Sequence, residues 1–329
     1  MLKRTIKLHM NEMPYLPQKV IIDAARKGLL SLNRYTDPED IEKLRELLAD
    51  YSGVPKGHFI LSPGSDFLLR EAIQTFSKGK KIILISPSFF PIVQTAKQFA
   101  TKLISIRLSP PEFDLSLDLL IDELKEPCLV VIDNPNNPTG KILLDRHAVE
   151  AIIKNKNALL LIDEAYYEFS GVTFADMVQD SPNLAITRTM DKAFSLAGAR
   201  VGYIIAGKAF LKAFSSFYAF LPQSSLHAAI EAVKNPDYMK KNIHRVIEEK
   251  ERVIRILDKL DIKVFPSSTN FLLAKTVVPE AVRKLRDLGI LVSDISNQLS
   301  SGFIRISIGT CEENDIFIAG YKKILKACD

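Results

Sequence analysis

Apolar residues along this chain fall into two alternating rhythms. Short runs such as KIILIS (81–86), CLVVID (128–133) and ALLLID (158–163) are nearly all apolar and end on a polar or charged residue. A run of that length with no polar face must bury both sides, as does a strand of a parallel sheet with helices on each face. Between these runs stand longer stretches with apolar residues at helical spacing. Residues 38–53 carry acids early and a glycine as stop signal, and residues 65–79 offer Ser65 or Asp66 as an N-cap. The same spacing predicts helices over 90–99, 117–124 and 145–154, with further strands over 103–108, 184–189 and 200–206. Such alternation predicts an α/β domain with a mostly parallel sheet between helices. Ligands of such sheets sit beyond the carboxyl ends of the strands.

The rhythm changes near residue 221. Residues 235–261 form one long amphipathic pattern, followed by strands within 263–275, a helix over 279–288, strands around 290–292 and 303–308, and a last helix over 313–327. This predicts a smaller α+β domain. The expected organisation is an N-terminal segment (1–37) packing on the small domain and on a partner subunit, a large domain (38–234) and a small domain (235–329).

Composition narrows the chemistry mainly by exclusion. A net charge of +5, spread without a basic block, gives no reason to expect nucleic acid or a membrane surface as partner. Cys128, Cys311 and Cys328 lack any Cys-x-x-Cys spacing, so neither a metal site nor a disulfide framework is expected. The expected compartment is the reducing cytoplasm. No apolar run approaches the roughly 20 residues of a membrane span, and the first residues lack a signal-peptide core.

Three predicted strands end in polar clusters. DNPNNPTGK (133–141) holds two Asn-Pro pairs and a Thr-Gly, which demand a sharply turned loop; taken alone, a surface turn explains it equally well. Asp163 ends a wholly apolar strand, where an unpaired carboxylate is costly, so it needs a cationic partner or a helix to cap. Lys192 lies in TRTMDKAFSLAGARVGY (187–203), with Arg200 opening the next strand. Arg305 sits mid-strand in FIRISIGT (303–310) and must pair with an anion, a structural salt bridge being the plain alternative.

In order along the chain stand NEMPY (11–15), LNRYTD (32–37), PGSD (63–66), NPNNPTG (134–140), DEAYYEF (163–169), Lys192 with Arg200 eight positions later, and FIRISIGT. This series resembles the fold type I pyridoxal-phosphate aminotransferases of classes I and II, in the histidinol-phosphate aminotransferase branch, over nearly the whole chain. The resemblance implies a large domain with a seven-stranded, mostly parallel sheet, and pyridoxal 5′-phosphate as cofactor. It implies that Lys192 forms the Schiff base and moves the proton at the substrate Cα. It places Asp163 against the pyridine nitrogen, and Asn137 and Tyr166 at the phenolic oxygen. Gly64, Ser65, Asp66, Thr189 and Arg200 are implied to hold the phosphate at a helix start, with Tyr35 reaching it from the partner of a homodimer. Phe90 takes the place of a ring-stacking tyrosine. Arg305 is implied to hold a substrate carboxylate bidentately, with Tyr15 and Asn137 beside it, and Asn270 to be structural.

The implied reaction moves an amino group from an L-amino acid or related amine to a 2-oxo acid, 2-oxoglutarate by family habit. The same residues would serve a decarboxylase of the threonine-phosphate type. A non-catalytic binder of the cofactor or of an amino acid is a third reading, opposed by the intact set of Lys192, Asp163, Tyr166, Arg200 and Arg305. Two departures stand out. Asp191 replaces a serine that donates to the cofactor phosphate; the expectation is that it turns away and pairs with a basic group. Ser293 stands where the histidinol-phosphate enzymes carry a second arginine, and Met13 replaces an asparagine. The lost cation shifts the expected donor from a phosphorylated one to an amino acid with its α-carboxylate on Arg305, and the apolar Met13, Tyr15 and Phe90 point to a bulky or aromatic side chain.

Overall fold

The chain is described by a computed structural model covering residues 5–214, 217 and 219–327; Cys328, singled out above, lies outside them. The first strand, β1 (Ile6–Leu8), belongs to a small sheet completed far along the chain. The large sheet contains β2 (Phe59–Ser62), β3 (Lys81–Ser86), β4 (Lys102–Arg107), β5 (Cys128–Asp133), β6 (Ala158–Asp163), β7 (Leu184–Thr189) and β8 (Gly202–Ala206), in the order 2-8-7-6-5-3-4. Strands β3 to β7 are parallel, and β8 runs antiparallel to both β7 and β2. The small sheet adds β9 (Ile262–Val264), β10 (Phe271–Thr276), β11 (Ile290–Asp294) and β12 (Phe303–Ser307) to β1, in the order 1-11-12-10-9. No described helix is long and apolar enough to cross a membrane.

Alternation along the buried strands separates two apolar layers. Ile83, Ile85, Val130, Ile132, Leu160 and Ile162 face one layer, which continues to Phe271, Phe303 and Ile306 of the small sheet. Ile82, Leu84, Leu129, Val131 and Leu161 face the other, against Leu68, Leu69, Ala72 and Ile73 of the helix Ser65–Phe76. Each fully buried aliphatic side chain contributes about 1.5–3 kcal/mol, so this two-sided burial is what fixes the strands. The expected α/β fold with a seven-stranded, mostly parallel sheet is the one found.

The helices expected from periodicity are present within a few residues. The long one, Pro236–Leu257, opens on a proline, whose missing amide costs nothing in the first turn of a helix. The pattern did not reveal β1, β2, or the helices Lys19–Gly28, Lys208–Ala213 and Gln223–Lys234. The N-terminal segment divides its contacts. Its strand β1 pairs in parallel with β11 of the small sheet, while its helix Lys19–Gly28 packs on the helix Gln223–Lys234.

Register puts the polar strand ends at one edge. Asp133 of β5 lies level with Asp163 of β6, and Asp163 with Thr187 of β7. A buried ion pair sits behind this edge: Arg188, 1% exposed, donates from Nε to Glu164 Oε2 at 3.0 Å.

Candidate active site

Asp163 closes β6 with 5% of its surface exposed. Its Oδ1 accepts the Thr187 hydroxyl at 2.9 Å, and it has no salt-bridge partner among the described residues. Burial pushes its carboxyl up to about 7, the neighbouring Asp133 pushes the same way, and the Thr187 hydrogen bond and Lys192 pull it back. It is a buried acid waiting for a cation.

Asp133 plays a different part. Its carboxylate accepts the Ser88 hydroxyl at 2.9 Å, the Phe89 amide at 3.3 Å, Asn136 Nδ2 at 3.0 Å and the Asn137 amide at 2.7 Å. Two loops are thereby tied to one strand end. Burial raises its own carboxyl to about 6 against the pull of the Asn137, Ser88 and Asn136 donors. Asn137 is buried, its Oδ1 accepts from Arg305 Nη1, and its Nδ2 carries no hydrogen bond among the described residues. Tyr166 accepts from Asn11 Nδ2 at 2.9 Å, which leaves its own hydroxyl proton to donate.

Asn11 also joins the N-terminal segment to the small sheet. Its amide donates to Ser307 Oγ at 2.8 Å, its Oδ1 accepts the Ser307 hydroxyl at 2.9 Å, and its carbonyl accepts Asn270 Nδ2 at 3.0 Å. It holds a left-handed φ of 53° to do so. The structural role expected of Asn270 is this bond. Neither Asp133 nor Asn11 was singled out from the sequence, although both open motifs quoted above; Asp133 carries the same signal as Asp163, a carboxylate ending an apolar strand.

Lys192 lies on the turn between β7 and β8, half-buried, with Nζ 3.1 Å from the Met10 carbonyl. The turn is closed by Met190 N to Val201 O at 2.8 Å and Ser195 N to Lys192 O at 2.9 Å. Ser195 and Arg200 adopt positive φ, 59° and 52°. Such conformations cost about 1–3 kcal/mol each and persist where the surroundings hold them.

Beside this turn the helix Ser65–Phe76 begins with no side-chain cap, after Gly64 at φ 91°. Its first amides are therefore open donors, at the positive end of the helix dipole. Gly202 lets β8 come close: a Cβ there would lie 2.1 Å from Ser65 N. Arg200 stands at this corner, bonded to the carboxylates of Asp66 and Asp191. Asp191 thus pairs with a base, as expected, but does not turn from the corner, because that base is Arg200 itself. The Thr189 hydroxyl accepts the Asp191 amide at 3.0 Å and lies 3.4 Å from Val201 O, so it is engaged within the turn.

Arg305 reaches the same space from β12. Nη1 donates to Asn137, Nη2 donates to the His9 carbonyl at 2.7 Å and to Ser293 Oγ at 3.1 Å, and Nε is buried without a partner among the described residues. Its acceptors among the described residues are all neutral, and burial holds its pKa below the usual guanidinium value. A cation so placed is short of an anion.

The sequence pattern of the family described as aminotransferase class I and II matches residues 3–320. The chain belongs to that family. A curated relative, the histidinol-phosphate aminotransferase of Sulfurisphaera tokodaii, is 36% identical over 330 residues, covering 98% of this chain and 90% of that protein. The histidinol-phosphate aminotransferase of a Thermoanaerobacter species is also 36% identical, over 97% of this chain and 93% of its own. The fold matches the crystal structure of histidinol-phosphate aminotransferase from Sinorhizobium meliloti in complex with pyridoxal 5′-phosphate, with a TM-score of 0.89 and 23% identity over 99% of this chain and 92% of that one.

This chain is a pyridoxal-phosphate-dependent aminotransferase, and its residues fit the cofactor. The uncapped helix start with Arg200 suits a phosphate, the partnerless carboxyl of Asp163 suits a protonated ring nitrogen, and Asn137 Nδ2 and the Tyr166 hydroxyl are free donors for the phenolic oxygen. Phe90 heads its helix with 55% of its surface exposed, whereas Phe89 is half-buried and held through its amide by Asp133. Tyr35 is 79% exposed and stacks on Phe220 with ring centroids 4.6 Å apart. Tyr15 lies under the Arg245 guanidinium, 3.7 Å from its ring centroid.

Proposed function

We propose that this aminotransferase moves an amino group from an L-amino acid with a bulky side chain to a 2-oxo acid such as 2-oxoglutarate, with the carboxylate of each held on Arg305. The observation that carries this reading is the neutral shell around Arg305. Ser293 pairs with it across β11 and β12 and brings no second charge. One guanidinium suits a carboxylate bonded bidentately.

When bound, the cofactor supplies an aldehyde carbon and an electron sink conjugated with the substrate Cα. The chain's own residues supply the rest. Lys192 provides the amine that holds the cofactor and, once freed, the base that takes the Cα proton. Asp163, ionised by a cationic partner, keeps the ring nitrogen protonated. Asn137 and Tyr166 donate to the phenolic oxygen, and the open amides of Ser65 and Asp66 with Arg200 hold the phosphate. Phe89, pinned by Asp133, is the better candidate than Phe90 for the face of the ring.

The exposed apolar side chains Leu29, Leu30, Leu32 and Tyr35 suit burial against a second copy, which would set Tyr35 at the partner's phosphate corner. Sedimentation showing only monomer at micromolar concentration would remove that part of the reading.

A second reading is favoured by the relatives: a phosphorylated amino alcohol, as in the histidinol-phosphate enzymes, with its phosphate on Arg305. A panel of amino donors in single turnover separates the two. Loss of the visible cofactor band with aromatic or other bulky amino acids, and not with histidinol phosphate, is the expected result. The reverse order would give the second reading, and carbon dioxide released without the amino form of the cofactor would make the enzyme a decarboxylase.

A further inference from the structure

One guanidinium serves two carboxylates at the head of the helix Ser65–Phe76. Arg200 Nη2 meets Asp66, and Nη1 meets Asp191. Asp191 is 7% exposed, and its second oxygen, Oδ1, is buried without a hydrogen-bond partner among the described residues. Arg200, just before β8, pairs with it and also holds Asp66 of the helix, and Lys192 follows it on its own turn. The guanidinium is thus shared between two acids, although the uncapped helix start beside it is built to receive an anion.

A phosphate monoester is mostly a dianion above pH about 6. Set beside a buried ionised carboxylate, it makes a like-charge pair in a site of low dielectric, and one group of such a pair takes up a proton. The unpartnered oxygen is the one able to take that proton. Asp191 Oδ2 is engaged by Arg200, whereas Oδ1 has no donor of its own. Once protonated, a carboxyl oxygen becomes a hydroxyl donor, and the phosphate supplies the acceptor.

We propose that Asp191 makes capture of the cofactor phosphate proton-linked: binding takes one proton from solvent and holds it between Asp191 Oδ1 and a phosphate oxygen. Asp191 then donates to the phosphate while Arg200 keeps its contact with Asp66. The inference rests on the phosphate lying at this helix start. Its consequence is an affinity for pyridoxal 5′-phosphate that falls about tenfold per pH unit above the second phosphate pKa, where the free ligand and free Asp191 have both lost the proton that the complex retains.

The test is equilibrium titration of the apoprotein with pyridoxal 5′-phosphate between pH 6.5 and 9 (roughly the window above that pKa), for wild type, Asp191→Asn and Asp191→Ser. Pyridoxal is the phosphate-free probe. Comparing wild type with each variant cancels the pH dependence of the lysine–aldehyde reaction. The expected ratio of wild-type to variant Kd grows about tenfold per pH unit with the phosphorylated ligand and is flat with pyridoxal. A flat ratio with both ligands overturns the proposal, leaving Asp191 a fixed ion-pair partner of Arg200. An equal slope with both also overturns it, since the linkage would then lie at the ring or the amine. If pyridoxal 5′-phosphate binds no better than pyridoxal at any pH, the placement of the phosphate fails instead, and the proposal with it. Calorimetry of the wild type in two buffers of different ionisation heat needs no variant: about one phosphate-dependent proton taken up per site supports the proposal, and none overturns it.

Discussion

Replacing Asp163 by asparagine is expected to slow aminotransfer by roughly 10²- to 10⁴-fold, while the apoprotein becomes more stable at pH 8. The first effect follows from the pairing that Asp163 lacks in the chain alone. Breaking a buried ion pair by removing one charge costs about 3–5 kcal/mol, and each 1.36 kcal/mol placed in the transition state is tenfold in rate. The neutral amide can still accept the Thr187 hydroxyl, so the site keeps its shape and loses its charge. The second effect has the opposite sign for a stated reason. Burial raises the Asp163 carboxyl to about 7 in the folded chain, against about 3.9 when unfolded. Between those values the folded state binds more protons than the unfolded one, so stability falls as pH rises through the window and stays low above it. The amide does not titrate and escapes that loss, which is of the order of a few kcal/mol. Rate at saturating substrate and urea unfolding of the apoprotein at pH 8 read the two effects. A variant within tenfold of wild-type rate would sink the assignment, and a variant both slow and less stable would point to a damaged fold.

The strands that carry the site were legible because they are buried on both faces. Residues 128–133 and 158–163 leave no helical alternative once their length and terminal acids are considered, and both end within the expected residue. The first strand is three residues long, and its partner Ile290–Asp294 lies at the other end of the chain, so nothing local marks it. The helix Gln223–Lys234 opens on polar residues and is set by what packs against it. The same distinction divides the site. Lys192, Asp163 and Arg305 show as charges in apolar surroundings, which sequence displays directly. Asn11 shows nothing of the kind: its partner Ser307 is 296 positions away, and its value lies in joining two segments. For Asp191 the chemistry of pairing was readable, but not the identity of the partner, because Asp66, Asp191 and Arg200 meet only when β8 returns beside the helix start. The ion pair of Arg188 and Glu164 passed unnoticed because each residue stands close to a more conspicuous one.

Lys192→Ala is expected to abolish both the visible band of the lysine–cofactor bond and all measurable aminotransfer, and Lys192→Arg to do the same. The pair of variants separates two things an amine can be. Arginine keeps the positive charge at this turn but stays protonated, so it neither condenses with an aldehyde nor takes a proton. If Lys192 served only as a counter-ion, the arginine variant would retain activity. Loss of a positioned general base alone costs about 10²- to 10⁴-fold, and loss of the covalent link adds to it, so residual rates should fall at least that far. Binding should survive better than catalysis, because the helix start, Arg200, Asp163, Asn137 and Tyr166 are untouched, and among the described residues Lys192 Nζ bonds only the Met10 carbonyl. Spectra of each variant mixed with pyridoxal 5′-phosphate, before and after borohydride, make the distinction. Free-aldehyde absorption and no reduced adduct are expected. A band that persists and is fixed by borohydride would place the covalent bond on another lysine, and the turn between β7 and β8 would then lose its central role.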